Sequence, residues 1–292
     1  MFTLIRIASA LCVLTLRSQL PRAYLSLFFA VLFGHYALAL WYSQRRLRQL
    51  LSPSAAPLGQ LSLLLGCVLI PLLDLPSLVV YFGLHHALTE GYMVATRRGG
   101  GAPEDVDEGR LLVSRVALTF AGYCLLLWRD RSFMELPLQG WAAIAAACFV
   151  AFLVCLARVL ARRRLRGADA LDLLAFEVVG LALAAGTRWL PVTFHDVVFY
   201  HLLVWTVLPL RRLSSGAARA KFVAQVAVVT ALFYCLMPAA GLVPALTLHW
   251  WLRQSQLWGY FHITTSFAIA GFNPAWVTRW FFPAPSLPGV RA

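Results

Sequence analysis

Leu75–Val94 reads LPSLVVYFGLHHALTEGYMV. The run is as long as the roughly 20 mainly apolar residues that carry an α-helix across a bilayer. Two adjacent histidines and a glutamate sit inside it. At helical spacing its polar residues fall on adjoining stripes: Tyr81, His85, Thr89 and Tyr92 on one, His86 and Glu90 on the next. An imidazole or carboxylate in hydrocarbon is costly unless it faces protein, water or a metal ion, so these residues mark a polar centre inside a membrane helix.

Nine further stretches have a similar character, giving candidate spans at about 2–16, 23–42, 58–73, 75–95, 111–128, 141–161, 171–186, 193–210, 222–251 and 257–281. The ninth is long and is broken by Pro238, Gly241 and Pro244, so it reads as a helix followed by a re-entrant or interfacial piece. The expected fold is therefore all-α, a polytopic transmembrane bundle of about eight to ten spanning helices over residues 1–282. A short disordered, proline-rich tail is expected at 283–292. Composition agrees: 61% of residues are hydrophobic, 13% are charged, and the mean hydropathy is +0.74. Soluble domains average about 45–50% apolar and about 25% charged.

The net charge of +13 belongs to topology more than to a nucleic-acid partner, because the arginines punctuate the ends of apolar runs. Arg45, Arg46 and Arg48 follow the second run; Arg97 and Arg98 the fourth; Arg162, Arg163, Arg164 and Arg166 the sixth; Arg211, Arg212, Arg219 and Lys221 the eighth. Cytoplasmic loops carry the basic excess, so all four clusters are assigned to the cytoplasm, and with ten crossings both termini join them. Lys221 is the sole lysine, which in an Ala- and Leu-rich chain reads as GC-rich bacterial coding and points to a bacterial inner membrane. No small-residue cleavage site follows the first run, so it is expected to be a retained anchor. The six cysteines lie within apolar runs with no CxxC spacing and read as small packing residues. GGGAPEDVDEG, residues 99–109, reads as an acidic flexible linker, since no GK[ST] follows its glycines.

Other runs also carry histidines: His35 in the second, His201 in the eighth, and His249 and His262 towards the C-terminus. His262 is followed at i+3 and i+4 by Thr265 and Ser266, hydroxyls placed either to bond the ring or to knit helices together. His249 precedes Trp250 and Trp251 and reads either as a ligand or as an interfacial anchor. His195 and Asp196, after Thr193, read as a capping pair at a helix end. The candidate metal ligands are His86, His201 and His262, with His35, His85 and His249. Glu90 and Glu177 are carboxylates able to orient a ligating ring. Glu177 lies within the seventh run and needs a partner there: a histidine, or a proton that keeps it neutral. Asp74, between the third and fourth runs, is expected at the far interface.

Phe82, Gly83, Leu84, His85, His86, Ala87, Leu88, Thr89 and Glu90 resemble the Phe-Gly-Leu-Pro-His-Gly pattern, with its following aspartate, of the Brp/Blh family of membrane β-carotene 15,15′-dioxygenases. His86 matches the family histidine and Glu90 stands where the family has aspartate. His85 and Ala87 replace the family's proline and glycine. Leu246, Thr247, Leu248 and His249 resemble its Leu-Thr-x-Pro-His motif without the proline, and no His-Phe-Gly motif lies between the two. The resemblance implies a helical bundle that holds Fe(II) through intramembrane histidines and cleaves a polyene with O₂.

Three functional classes follow. The sharpest is a non-haem iron oxygenase acting on a lipophilic polyene or isoprenoid, with membrane lipid around it and no nucleic-acid partner. The others are a haem-binding electron carrier with axial imidazoles, and a transporter or assembly scaffold whose polar residues line a path or tie helices together.

Overall fold

The computed structural model describes residues 2–52, 57–69, 72, 74–95, 106–129, 138–162, 168–240, 242–243 and 246–269. The linker at 99–105, the end of the tenth candidate span at 270–281 and the tail at 283–292 lie outside them, as do the side chains of Tyr92 and of residues 106–109. The protein is an all-α polytopic membrane protein, and no strand occurs among the described residues. Its helices are α1 (Phe2–Gln19), α2 (Tyr24–Leu50), α3 (Pro57–Leu69), α4 (Leu75–Ala95), α5 (Val106–Arg129), α6 (Leu138–Arg162), α7 (Ala168–Trp189), α8 (Phe194–Arg212), α9 (Gly216–Cys235) and α10 (Leu248–Ile269). Among the described residues, Tyr24–Leu50, Arg110–Arg129, Gln139–Ala161 and Gly216–Cys235 are long and apolar enough to cross a membrane. A 3-10 turn at Pro238–Ala240 follows α9, where Pro238 has no N–H to continue the helical hydrogen bonding.

The chain forms two compact units. One comprises residues 3–48 and 194–262, the other residues 49–193 and 263–292, with a boundary inside α10 after His262.

In the second unit, Asp74 caps α4. Its Oδ1 accepts from the Ser77 backbone N–H (3.1 Å) and hydroxyl (2.7 Å), satisfying a first-turn donor. This gives Asp74 a role the sequence reading did not assign, and the same bonds hold its carboxyl below the ordinary aspartate value. α4 packs antiparallel to α5. Gly91 meets Leu112 and Val116 at one end of the contact, and Gly83 meets the Tyr123 ring at the other. The Tyr123 hydroxyl donates to the Val79 carbonyl at 2.7 Å. A side chain at Gly83 would stand 2.4 Å from that ring, so the close approach requires glycine.

α5 and α7 run parallel with a nearly constant offset. Arg115 meets Glu177, Gly122 meets Ala184, and Arg129 donates to the Leu190 carbonyl. The seven-residue step along α5 is the spacing of left-handed knobs-into-holes packing, and small residues at its middle let the backbones approach. Thr187 Oγ1 donates across the seam to the Gly122 carbonyl at 2.6 Å. Phe152 of α6 closes the same region against Leu118 and Ala184.

In the first unit, α2 is antiparallel to α9. Gly34 lies against Thr230, and farther along Tyr42 meets Phe222 and hydrogen-bonds Gln225. α8 runs parallel to α2: Asp196 meets Tyr24, and a few residues later His201 lies beside His35.

Candidate metal centre

The first unit brings three of the six candidate histidines together. His35 comes from the middle of α2, His201 from α8 and His262 from α10. All three are buried, at 4%, 3% and 6% exposure. His35 Nε2 and His262 Nε2 are 3.0 Å apart. The His35 ring stands edge-on to Trp205 (centroids 4.1 Å) and 6.1 Å from the His201 ring, while Tyr36 packs on His262 at 5.0 Å. Sequence alone left His35 a lone histidine on an apolar helix; the fold makes it the hub of the group.

A 3.0 Å contact between two imidazole nitrogens has two chemical readings. As a hydrogen bond between neutral rings, one Nε2 carries the proton and the other offers its lone pair, so the second ring holds its proton on Nδ1. As a ligand pair, about 3.0 Å is the separation of adjacent nitrogens on an octahedral ion with metal–nitrogen bonds of about 2.1 Å. It is short for two axial haem ligands, which stand about 4 Å apart on opposite sides of the iron. Among the described residues no group of three or more His, Cys, Asp or Glu side chains is arranged to hold a metal ion as it stands. Were an ion bound, His35 and His262 would supply one edge of its coordination shell, with His201 the imidazole beside it.

His249 does not join them. It is exposed in the first turn of α10, and thirteen residues separate it from His262, a rise of about 20 Å along one helix. Its exposure leaves it apart from the three buried imidazoles.

Asp196, expected as a helix-end cap, instead joins neighbouring helices. It is 2% exposed, its Oδ2 accepts from Arg17 Nη1 at 2.6 Å, and its Oδ1 accepts from the Tyr24 hydroxyl. It therefore ties the C-terminal end of α1 and the N-terminal end of α2 to the first turn of α8. Each charge also complements a helix dipole, the acid at an N-terminus and Arg17 at a C-terminus. On the same helix pair, Arg6 of α1 is buried, and its Nε donates to the Tyr200 hydroxyl at 3.3 Å, one residue from His201.

His85, His86 and Glu90 belong to the second unit, and all are buried. The His86 ring lies flat against Phe82 (centroids 5.9 Å, planes 3° apart), and the His85 ring meets the edge of Phe267 at 5.8 Å. Thr89 Oγ1 turns back to the His85 carbonyl at 2.9 Å, and Tyr81 meets the Thr264 hydroxyl at 3.1 Å. Glu177 pairs with Arg115, a partner not foreseen from sequence, where a histidine or a retained proton was expected. The signal was present: Arg115 is a charged residue inside the fifth apolar run, and such a residue demands a buried partner.

No family model matches the chain, and neither a curated protein nor a solved structure matches it significantly.

Proposed function

We propose that this chain is a membrane metalloenzyme that binds one non-haem iron through His35, His262 and His201 and acts on a lipophilic polyene or isoprenoid. The single observation that carries the reading is the 3.0 Å approach of His35 and His262 within a buried, aromatic-walled group that also holds His201. Neutral imidazoles are suited to Fe(II) and leave coordination positions open for O₂ chemistry. Around them Tyr36 and Trp205 supply apolar, polarisable walls of the kind that line sites for small apolar molecules. The local resemblance of Phe82–Glu90 to the Brp/Blh dioxygenases supports the same class of chemistry. The arginine clusters after α2, α4, α6 and α8 support a bacterial inner-membrane location with both termini in the cytoplasm.

Metal analysis of purified protein tests the proposal. Wild-type protein loaded with Fe(II) under anaerobic conditions is expected to retain about one iron per chain, and His35→Ala and His262→Ala to lose it. His249→Ala should retain it. Wild-type protein that holds no stoichiometric iron, zinc or copper after loading would overturn the metal centre. A Soret band in detergent extracts would replace it with the haem reading. Expression in a carotenoid-accumulating bacterium reads the reaction: loss of colour and appearance of an aldehyde are expected, and both should vanish with His262→Ala.

A further inference from the structure

The antiparallel register of α2 and α9 brings together two basic clusters that are far apart in sequence. Tyr42 meets Phe222 and Gln225, so the residues one turn beyond Tyr42 and one turn before Phe222 occupy the same end of the first unit. Those residues are Arg45, Arg46 and Arg48 on α2 and Arg219 and Lys221 on α9. Arg45, Arg48, Arg219 and Lys221 are exposed and Arg46 is half-buried. α8 ends at the same place, joined to α9 by Leu213–Ser215.

α2 spans 27 residues, about 40 Å at 1.5 Å per residue, against a hydrocarbon layer of about 30 Å. Counting 20 residues from Tyr24 reaches Ser43, so the three arginines emerge into the headgroup layer. Exposed Trp41 and Tyr42 stand at the boundary, where amphipathic rings favour the interface. Arg48 Nη2 is steadied by Gln44 at 3.0 Å and Arg219 Nε by the Leu213 carbonyl at 3.0 Å, so two of the cations are held in place.

The sequence of this unit places no acidic residue beside Arg45, Arg48, Arg219 and Lys221. Asp196 is the sole acidic residue in 3–48 and 194–262, and it lies at the opposite end of α2 and α8, paired with Arg17. Helix stability does not explain the group either, because Arg219 and Lys221 lie in the first two turns of α9, where the helix dipole disfavours cations. Orientation by the positive-inside rule needs basic residues near the spans but not their convergence from two helices on one spot.

We propose that this end of α2 and α9 is a docking surface for the phosphate headgroups of anionic phospholipids in the surrounding leaflet, with Trp41 and Tyr42 seated at the glycerol level. Clustered basic residues next to a membrane span attract such lipids, and the attraction is screened by salt. The surface is separate from the histidine group and does not depend on the metal proposal.

Native mass spectrometry of the full chain, released from micelles doped with phosphatidylglycerol or phosphatidylcholine, tests it. Wild-type protein is expected to retain phosphatidylglycerol about tenfold more strongly than phosphatidylcholine at low salt. The preference should shrink when the micelles are equilibrated in about 0.5 M NaCl, where the Debye length falls below about 5 Å. Combined Arg45→Gln, Arg48→Gln, Arg219→Gln and Lys221→Gln should bring the two lipids within about twofold. Arg22→Gln, an exposed arginine at the opposite end of α2, should leave the preference unchanged. If the fourfold variant does not fold, the pair Arg45→Gln and Lys221→Gln should give an intermediate loss. Equal retention of the two lipids by wild type, full preference in the folded variant, or complete displacement of phosphatidylglycerol by millimolar inorganic phosphate would each overturn the proposal.

Discussion

Replacing Arg115 with methionine should be among the most damaging single changes in the second unit. Arg115 and Glu177 are 2% and 5% exposed and pair across the parallel seam of α5 and α7. Methionine fills much of the arginine volume but leaves Glu177 without its guanidinium in a region water does not reach. Removing one partner of a buried ion pair costs about 3–5 kcal/mol, mostly the penalty of the stranded charge. Removing both is different: Arg115→Met with Glu177→Leu takes out both charges of the pair together and should cost less than about 1 kcal/mol or stabilise. The coupling between the two changes is then about 3 kcal/mol, a factor of more than about a hundred in the folding equilibrium. The seam would hold its register in the double variant, because Gly122 against Ala184 and Arg129 on the Leu190 carbonyl are untouched. The assay is thermal loss of the monomeric peak in detergent, backed by far-UV circular dichroism. Arg115→Met should lower the midpoint by roughly 10 °C and the double variant should recover it. A single variant within about 1 kcal/mol of wild type, or a double variant no better than the sum of the singles, would refute the reasoning.

Gly83→Ala should destabilise by about 1–3 kcal/mol, because the new methyl falls 2.4 Å from the Tyr123 ring and the bond from its hydroxyl to Val79 stops that ring swinging away; adding Tyr123→Ala should remove the clash, which the same thermal assay reads. Asp196→Ala frees both Arg17 and the Tyr24 hydroxyl, and should cost about 2 kcal/mol, discounted for the partial exposure of Arg17; protease accessibility of the α1–α2 connection should rise with it, and an unchanged digestion pattern would count against the anchor. For Asp74, the folded carboxyl titrates below its unfolded value, so its contribution is complete above roughly pH 4–5 and is lost as pH falls through the lowered folded value. The gap in melting temperature between wild type and Asp74→Asn should therefore be flat above about pH 5 and change only below about pH 4; a gap that moves between neutral pH and pH 6 would sink that assignment.

Hydropathy located the helices because in a membrane it reports directly on where backbone must bond to itself. The fourth run was placed at 75–95, the span α4 occupies. The errors fall where helix continues beyond hydrocarbon: α2 runs through QRRLRQL to Leu50, and α10 begins at Leu248, ahead of polar Arg253–Gln256. Apolar count cannot see a helix that ends in water, and neither segment contains a breaker. The histidines were legible as unusual residues, but not as partners. His35 and His262 are 227 positions apart, and no spacing rule links residues on separate helices. Arg115 and Glu177 were unlinked for the same reason, although their place one heptad from the Gly122–Ala184 contact makes the pairing readable once the seam is known.

Helix directions inside the two units bear on the proposed topology more strongly than the length of any one run. α4 and α5 are antiparallel and α5 and α7 parallel in one unit; α2 and α8 are parallel and α2 and α9 antiparallel in the other. Helices that cross a bilayer in strict succession run the same way when their ordinals differ by an even number, and all four relations obey that rule. The demanding case is α3, whose 13 residues rise only about 20 Å against a core of about 30 Å. If α3 alone dipped in and turned back, α8 would run opposite to α2, and Asp196 could not sit beside Tyr24 while His201 sits beside His35. Parallel α2 and α8 therefore require an odd number of crossings between them, as when each of α3 to α7 spans and as a single failed crossing would not give. An odd number also leaves the arginine clusters after α2 and α8 at one end of their unit, the end where α2 and α9 bring their basic residues together.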